Sequence, residues 1–396
     1  MEYMSSTAMR KWQPQHIFTG TELLPEAQVL ITNDTGTIID IIPAAEAGEN
    51  IEKLPGWICP AFINCHCHLE LSHLKGAIPT QTGLVNFVQQ VMKQRNTSTE
   101  MQLEASRIAD KQIWDSGTQA VGDICNQPTT AAIKLHSPVT YYSFIELAGW
   151  HPGVAESRYQ NGLDCSAVFN KFGLRHSCSP HAPYSVSTAL WEKLQPHFSG
   201  IPVTMHNQES IDEQILFEKG TGNWIHFYEQ MGIAHTGFEG SGKTSLQTVF
   251  PFLQSANPLI LVHNTFTTEQ DIEQVENLHP EIYWCICIRA NQYIENTLPP
   301  IDLLQKHACK IVIGTDSLAS NYTLSLLDEL KTLQQFFPQL STTTLLTWAT
   351  YQGAKALGLN KEMGQLTKGT KPGILHINHL LANGVLQQET SIERLF

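Results

Sequence analysis

The sequence predicts an α/β fold, a TIM-type (β/α)₈ barrel with a small β-sandwich domain formed by both chain ends. Short apolar, strand-like runs alternate with helix-like segments, which is the pattern of a parallel sheet with helical crossovers. Eight such runs occur between residues 58 and 315, the number that a barrel requires. Histidine or aspartate residues stand at the ends of several runs, where barrel enzymes place their catalytic groups.

The two chain ends have the composition of a small β-domain. Residues 27–31 and 37–42 are β-rich runs separated by turn residues, and residues 373–377 have the same character. Because the termini of compact proteins often lie close together, we predict that 1–58 and 364–396 pair into a composite β-sandwich. Residues 59–363 then form the barrel. The alternative is an N-terminal β-domain followed by a disordered tail.

The barrel elements are predicted in alternation along the chain. Strands are expected at about 58–65, 118–124, 138–146, 173–179, 201–206, 258–263, 282–287 and 309–315. Helices are expected at about 83–95, 99–116, 187–195, 208–219, 268–276, 323–335 and 342–357. No Gly-x-Gly-x-x-Gly follows the first strand, which counts against a dinucleotide-binding open sheet.

Composition and charge exclude several classes of function. The 396 residues are 42% hydrophobic and 15% charged, as in soluble globular proteins, and the net charge is −13. No cluster of five or more Lys or Arg residues occurs, so we expect neither nucleic acid nor a membrane as a partner. No apolar run approaches ~20 residues and the N-terminus has no signal core, so a cytoplasmic location is the default expectation. The nine scattered cysteines lack C-x₂-C spacing, which disfavours a thiolate metal site.

Four residues at predicted strand ends have the chemistry of metal ligands. His66 and His68 close the first strand, and side chains at i and i+2 of a strand point the same way. His206 closes the fifth strand and Asp316 closes the eighth. Three imidazoles and one carboxylate suit Zn²⁺ or Fe²⁺ and leave a position for water, whose pKa the ion lowers toward ~7.

Three further residues are candidates for catalysis or substrate binding. Glu209 lies three residues after His206 and is either a proton shuttle or an ordinary acid in the first turn of a helix. His263 ends the sixth strand and is either a second metal ligand or an acid/base group. His181 is fixed between two prolines at the mouth of the fourth strand, where a purely structural role is the alternative.

Five segments of the chain resemble the amidohydrolase superfamily, and in particular its aminohydrolase and chlorohydrolase group. They are Asn64-Cys65-His66-Cys67-His68-Leu69-Glu70, Ser179-Pro180-His181-Ala182-Pro183-Tyr184-Ser185, His206-Asn207-Gln208-Glu209, Leu261-Val262-His263-Asn264 and Gly314-Thr315-Asp316-Ser317-Leu318-Ala319-Ser320-Asn321. The resemblance implies a barrel with a composite β-sandwich and one metal held by residues 66, 68, 206 and 316. It also implies that Glu209 shuttles protons, that His263 assists at the hydroxide, and that His181 contacts the substrate. In the reaction that we predict, Asp316 is also catalytic and accepts the proton of the water.

Within this group, residues 68–74 and 314–321 are most similar to aminodeoxyfutalosine deaminases. One segment departs from the family, whose seventh strand usually ends Cys-Pro-x-Ser/Ala-Asn, because here Ile288 replaces the proline and Arg289 follows it. Arg289 is expected either to bind an anionic group of the substrate or to pair with a protein carboxylate such as Glu295 or Asp302.

The sequence therefore predicts a metal-dependent hydrolytic deaminase that removes an exocyclic amine from a purine-type nucleoside or base and releases ammonia. The expected cofactor is one divalent ion, Zn²⁺ first and Fe²⁺ second, and the expected partner is a small-molecule substrate. The alternatives are a chlorohydrolase or cyclic amidohydrolase on the same fold, and a non-catalytic scaffold that would be expected to lose the ligands kept here. A homodimer is compatible with the sequence.

Overall fold

The computed structural model describes residues 9–233, 238–381 and 383–396. The chain divides into two compact units: Met1–Ile63 with Trp114–Gln119 and Ser325–Phe396, and Asn64–Ile113 with Ala120–Leu324. Within the described ranges, no helix has the length and apolar character needed to cross a bilayer.

Sixteen strands are present in the described part of the chain. They are β1 Met9–Gln13, β2 His16–Ile17, β3 Gln28–Asn33, β4 Ile38–Pro43, β5 Glu52–Lys53, β6 Trp57–Pro60, β7 Phe62–Cys67, β8 Thr118–Cys125, β9 Thr140–Leu147, β10 Arg175–Pro180, β11 Val203–Asn207, β12 Leu259–His263, β13 Ile282–Ile286, β14 Ile311–Ile313, β15 Ile374–Asn378 and β16 Ser391–Arg394. The first predicted barrel strand, 58–65, is thus two strands, since a break at Ala61 separates β6 from β7.

Strands from both chain ends form the two sheets of the first unit. Their strand orders are β4-β3-β1-β5 and β16-β15-β6-β2. In the second sheet β15 pairs antiparallel with β6, so the C-terminal residues belong to a sheet and do not form an unstructured tail. Apolar side chains of both sheets share one core, made by Trp12, Ile17, Leu30, Ile38, Ile58, Leu366 and Ile374.

Strands β7 to β14 form two further sheets, β10-β9-β8-β7 and β11-β12-β13-β14. Neighbouring strands from β8 to β10 and from β11 to β14 pair in parallel. Strands β7 and β11 to β14 are buried at every residue, as expected for parallel strands covered on both faces. The amide of His206 donates to the carbonyl of His181, and those of Thr315 and Asp316 donate to that of His66. These bonds bring the carboxyl ends of β7, β10, β11 and β14 together.

Fourteen α-helices are present in the described residues. They are α1 Leu84–Gln94, α2 Thr99–Asp115, α3 Ala131–His136, α4 Ala155–Lys171, α5 Thr188–Leu194, α6 Ile211–Lys219, α7 Asn223–Gln230, α8 Ser245–Val249, α9 Glu269–Leu278, α10 Ile288–Ile294, α11 Ile301–Lys306, α12 Leu326–Phe336, α13 Thr342–Thr347 and α14 Gly353–Ala356. The predicted helix 342–357 is divided, because a π-helical turn, Trp348–Gln352, lies between α13 and α14.

The long helix α4 was not predicted from the sequence. Its buried positions are the small or scattered residues Ala155, Gly162, Cys165 and Phe169, which give no continuous apolar stripe. A Cβ atom at Gly162 would lie 2.8–3.1 Å from side-chain atoms of Leu147, so the glycine allows α4 to approach β9 closely.

Candidate metal centre

Four side chains converge at the carboxyl ends of the parallel strands. His66 lies in β7, His68 follows it, His206 lies in β11 and Asp316 follows β14. The Nε2 atom of His68 is 3.2 Å from Nε2 of His66 and 3.3 Å from Nε2 of His206. Oδ1 of Asp316 is 3.5 Å and 3.3 Å from the Nε2 atoms of His66 and His68. All four residues are buried.

This arrangement of atoms fits a tetrahedral divalent ion. An ion with metal–nitrogen distances of ~2.0–2.1 Å holds its ligand atoms about 3.3–3.4 Å apart. The separations of 3.2–3.5 Å agree with that spacing. His66, His68 and Asp316 form one group of candidate ligands. His263 belongs to another group with His66 and His206. Its position is therefore consistent both with a second metal ligand and with an acid/base group.

The hydrogen bond of His206 fixes which ring nitrogen carries the proton. Its Nδ1–H donates to the carbonyl of His181 over 2.8 Å, so the lone pair of Nε2 points toward His68. On Asp316, the hydroxyl of Ser320 donates to Oδ2 and leaves Oδ1 for the cluster. Metal ligands commonly have such outer partners, which set the tautomer and the orientation.

The backbone at these strand ends adopts an uncommon conformation. Positive φ angles occur at Gln208 (45°), His263 (75°) and Asn264 (58°), at or directly after the ends of β11 and β12, and at Asp316 (57°), three residues beyond the end of β14. Non-glycine residues in this region cost about 1–3 kcal/mol each and cluster at functional sites. The strain therefore marks the same edge of the sheets as the converging side chains.

Burial determines the charge states of the cluster. It lowers the pKa of His66 and His68, so both rings are neutral and able to bind a cation. Burial alone would raise the pKa of Asp316, but a hydrogen bond with His66 and the neighbouring rings of His68 and His263 hold it far below its usual range. Neutral imidazoles around an ionised carboxylate are the donor set that zinc-type ions prefer.

Glu209 lies beside His263 and outside any helix. Helix α6 begins at Ile211 with Ser210 as its N-cap, so the interpretation of Glu209 as a first-turn acid is wrong, and Glu213 is one acid of that turn. Oε1 of Glu209 is 3.5 Å from Nε2 of His263, whose Nδ1–H donates to Oδ1 of Asn291 over 2.9 Å. Burial raises the pKa of Glu209 well above its usual value, so its protonated form persists to a higher pH than that of an ordinary glutamate.

His181 and the unpredicted Glu146 form a second group against His206. Their ligand atoms lie within 4.8 Å of one another, and Nδ1 of His181 contacts Oγ of Ser185 at 2.6 Å. Burial lowers the pKa of His181 to about 4. Burial would raise the pKa of Glu146, but His181, His206 and His68 together lower it to about 2. Glu146 was missed, although it stands near the end of β9, the same sequence signal that marked the histidines.

Arg289 lies in the first turn of α10. Its Nε donates to Oδ1 of Asn321 over 3.1 Å, and its guanidinium lies 6.0 Å from the ring centre of Tyr322. Of the two carboxylates considered for it, Glu295 accepts a hydrogen bond from the amide of Leu84 at 2.6 Å. The structure thus associates Arg289 with the loop that follows Asp316.

The protein belongs to the amidohydrolase family, whose model matches residues 57–381. This confirms the predicted resemblance and makes the chain a hydrolase of that family. A 5-methylthioadenosine/S-adenosylhomocysteine deaminase of Teredinibacter turnerae is 23% identical to it, over 90% of this chain and 80% of the relative. An aminodeoxyfutalosine deaminase of Nitratiruptor sp. is 26% identical, over 82% of this chain and 78% of the relative.

Solved structures share the fold. Helicobacter pylori aminofutalosine deaminase in complex with methylthio-coformycin has a TM-score of 0.80 at 20% identity and covers 95% of this chain and 94% of its own. A Xanthomonas campestris adenosine deaminase with bound zinc has a TM-score of 0.72 at 20% identity, over 93% of this chain and 84% of its own. The α/β architecture is therefore of the amidohydrolase type.

Proposed function

We propose that this protein is a metal-dependent hydrolytic deaminase that removes the exocyclic amine of a purine-type nucleoside or base and releases ammonia. The observation that carries the proposal is the convergence of three imidazole Nε2 atoms and Oδ1 of Asp316 beside the buried carboxyl of Glu209. Relatives that are named as deaminases of 5-methylthioadenosine, aminodeoxyfutalosine and 5'-deoxyadenosine support the same reaction class.

The proposed scaffold is a closed (β/α)₈ barrel within residues 59–363, with a β-sandwich formed by 1–58 and 364–396. Backbone bonds between the edges of the two parallel sheets, at His66 and His181, support closure of the barrel. The core shared by the two sheets of the first unit supports the sandwich.

His66, His68, His206 and Asp316 would hold one divalent ion, Zn²⁺ first and Fe²⁺ second. The fit of their ligand atoms to a tetrahedral spacing supports this assignment. A divalent ion in such a site lowers the pKa of a bound water toward ~7 and thereby supplies a nucleophile at neutral pH.

The remaining chemistry is assigned to side chains that surround the site. Asp316 accepts the proton of the attacking water while Ser320 holds its other oxygen, and it then passes this proton to the amine, which leaves as ammonia. Glu209, whose raised pKa favours the protonated form, gives its proton to the ring nitrogen beside the carbon that bears the amine, which makes that carbon electrophilic. It regains a proton from the newly added hydroxyl group when the carbonyl product forms. Nε2 of His263 has no proton in the tautomer that Asn291 selects, so it can accept a hydrogen bond from the water or the departing amine.

Two residues are proposed to bind the substrate. His181, beside His206 and close to Tyr184, contacts the ring or its sugar. Arg289 binds an anionic or strongly polar group remote from the amine, because a guanidinium recognises a carboxylate through paired hydrogen bonds. The benzoate of aminodeoxyfutalosine is a group of this kind.

A deamination screen tests the proposal. The zinc-loaded and iron-loaded proteins are incubated with adenosine, 5'-methylthioadenosine, 5'-deoxyadenosine and aminodeoxyfutalosine, and ammonia is measured. His66→Ala is the control for metal-dependent turnover. Ammonia release that His66→Ala abolishes supports the proposal. Chloride release from a chlorinated heteroaromatic ring, without deamination of any purine, would instead identify a chlorohydrolase.

A further inference from the structure

A fully buried ion pair joins β8 to α3. Nζ of Lys134 lies 2.6 Å from Oδ2 of Asp123, and neither side chain is exposed. The other ammonium donors reach Sγ of Cys125 at 2.8 Å and Oγ of Ser143 at 2.9 Å, which satisfies all three. Replacing such a pair by apolar residues is often neutral or stabilising, so stability alone is a weak reason for its presence.

The second oxygen of Asp123 binds the backbone next to the candidate metal ligand His68. Oδ1 accepts a hydrogen bond from the amide of Leu69 over 2.7 Å, and Leu69 directly follows His68. A 3₁₀ helix, Leu69–Leu74, begins at this amide, and His68 at its N-cap makes no side-chain capping bond. Asp123 therefore binds, from a distant strand, one of the amides that the start of a helix leaves without an intrahelical partner.

The same peptide segment is also held from its carbonyl side. The carbonyl of Leu69 accepts from Oγ of Ser106 at 3.1 Å and from Oγ of Ser72 at 2.7 Å. The chain just after His68 is thus fixed at both its amide and its carbonyl, and the bond at the amide is the charge-assisted one.

We infer that Asp123 and Lys134 are positioning residues for the metal centre: Lys134 orients the carboxylate of Asp123, and Asp123 fixes the backbone from which His68 reaches the ion. The inference rests on the proposed role of His68 as a ligand. Partners in the outer shell of a metal site typically change metal affinity or activity by about 10–100-fold when they are lost.

Two double variants isolate the acceptor. Asp123→Asn with Lys134→Met and Asp123→Leu with Lys134→Met both lack the ion pair and have side chains of the same branched shape at residue 123, but only asparagine keeps an oxygen for the Leu69 amide. We expect the Asn variant, which keeps the acceptor but loses its charge and the orienting Lys134, to bind Zn²⁺ and Co²⁺ less tightly than the wild type by less than about tenfold. We expect the Leu variant to bind them about 10–100-fold more weakly and to show an altered Co²⁺ absorption spectrum. Dissociation constants are measured on the apo-protein by competition with a chromophoric chelator.

A matched control separates positioning from a general loss of stability. Val275→Ala removes buried volume from α9, which carries none of the proposed ligands. Metal affinity that falls equally in Val275→Ala and in the Leu double variant, in step with their unfolding midpoints, would overturn the inference. If the Leu double variant does not fold, Asp123→Ala with Lys134→Met, which also lacks the acceptor, takes its place, and unchanged Zn²⁺ affinity in that variant would likewise overturn the inference.

The outcomes also distinguish this inference from the proposed function. Equal Zn²⁺ binding by the wild type and His66→Ala would reject the metal site itself. Tight binding by the wild type, lost in His66→Ala but equal in the two double variants, would leave the proposed function intact and reject the positioning role of Asp123 and Lys134.

Discussion

Replacing Glu209 with glutamine tests the proposed proton shuttle with a minimal change of shape. The side chain is buried and its backbone amide is bound by the carboxylate of Glu213, so a glutamine can occupy the same volume without moving the turn. Glutamine keeps a hydrogen-bond donor but cannot transfer a proton. We therefore expect substrate and metal binding to persist while turnover is lost.

The size of the effect follows from the charge state of Glu209. Because burial raises the pKa of the carboxyl, the protonated form that can transfer a proton to the substrate persists to a higher pH than in an ordinary glutamate. A positioned general acid of this kind contributes about 10²–10⁴-fold. We expect kcat to fall by that factor, which corresponds to about 3–5 kcal/mol of activation free energy.

The pH dependence has a definite sign. A raised pKa means that the active, protonated carboxyl persists to higher pH than an ordinary glutamate and is lost as the pH rises through that pKa. The wild type should therefore lose kcat/KM on the alkaline side. In the Glu209→Gln variant, the decrease of kcat/KM at alkaline pH should be smaller, because the contribution of the Glu209 carboxyl is missing.

Steady-state deamination and metal content are measured together for Glu209→Gln. The matched control is Glu218→Gln on α6, whose carboxylate accepts a bond from Gln214 and should leave turnover unchanged. A Glu209→Gln protein that retains its metal and deaminates within about threefold of the wild type would refute the shuttle, since the factor expected for it is ~10² or more.

Three further predictions concern the metal, the substrate and stability. The protein should bind about one divalent ion per chain, and His66→Ala should reduce this by elemental analysis; an unchanged metal content would contradict the ligand assignment. Arg289→Met should lower kcat/KM for an anionic substrate by about 1.5–3 kcal/mol and spare a neutral one, whereas equal losses would reject the recognition role. Burial raises the pKa of Glu213 to about 7, so the stability that its protonated form provides should fall between pH ~4.5 and ~7. In urea unfolding, the free energy of unfolding of the wild type should fall by about 3 kcal/mol over this range, and that of Glu213→Gln should not. A variant with the same pH profile as the wild type would show that Glu213 ionises as it does in the unfolded chain.

The strand-end residues could be predicted because their signal is local. His66 and His68 are two residues apart at the end of one strand, and His206 and Asp316 follow apolar runs, so the geometry of parallel strands alone brings them to one edge. The start of α6 could not be located to the residue, since Ser210 and Glu209 are both acceptable at a helix start and only the structure shows that Ser210 is the cap.

The parts that were missed depend on contacts between distant residues. Glu146 becomes a neighbour of His181 only through the register that pairs it with Ser179 across β9 and β10. Lys134 lies on a helix of six residues, too short for a periodic pattern, and its partner Asp123 is in another element. Helix α4 was missed because its close packing depends on a glycine, which sequence propensity counts against a helix.

The proposed ligands come from distant parts of the chain, since His68 and His206 are 138 residues apart. A bound ion would therefore act as a reversible cross-link between segments that no disulfide joins, as none of the nine cysteines forms a disulfide. The strength of such a cross-link is set by the solution, because each tenfold rise in free metal above the dissociation constant adds about 1.4 kcal/mol to the apparent stability. The melting temperature of this protein would then report the metal concentration of its buffer as much as the packing of its core.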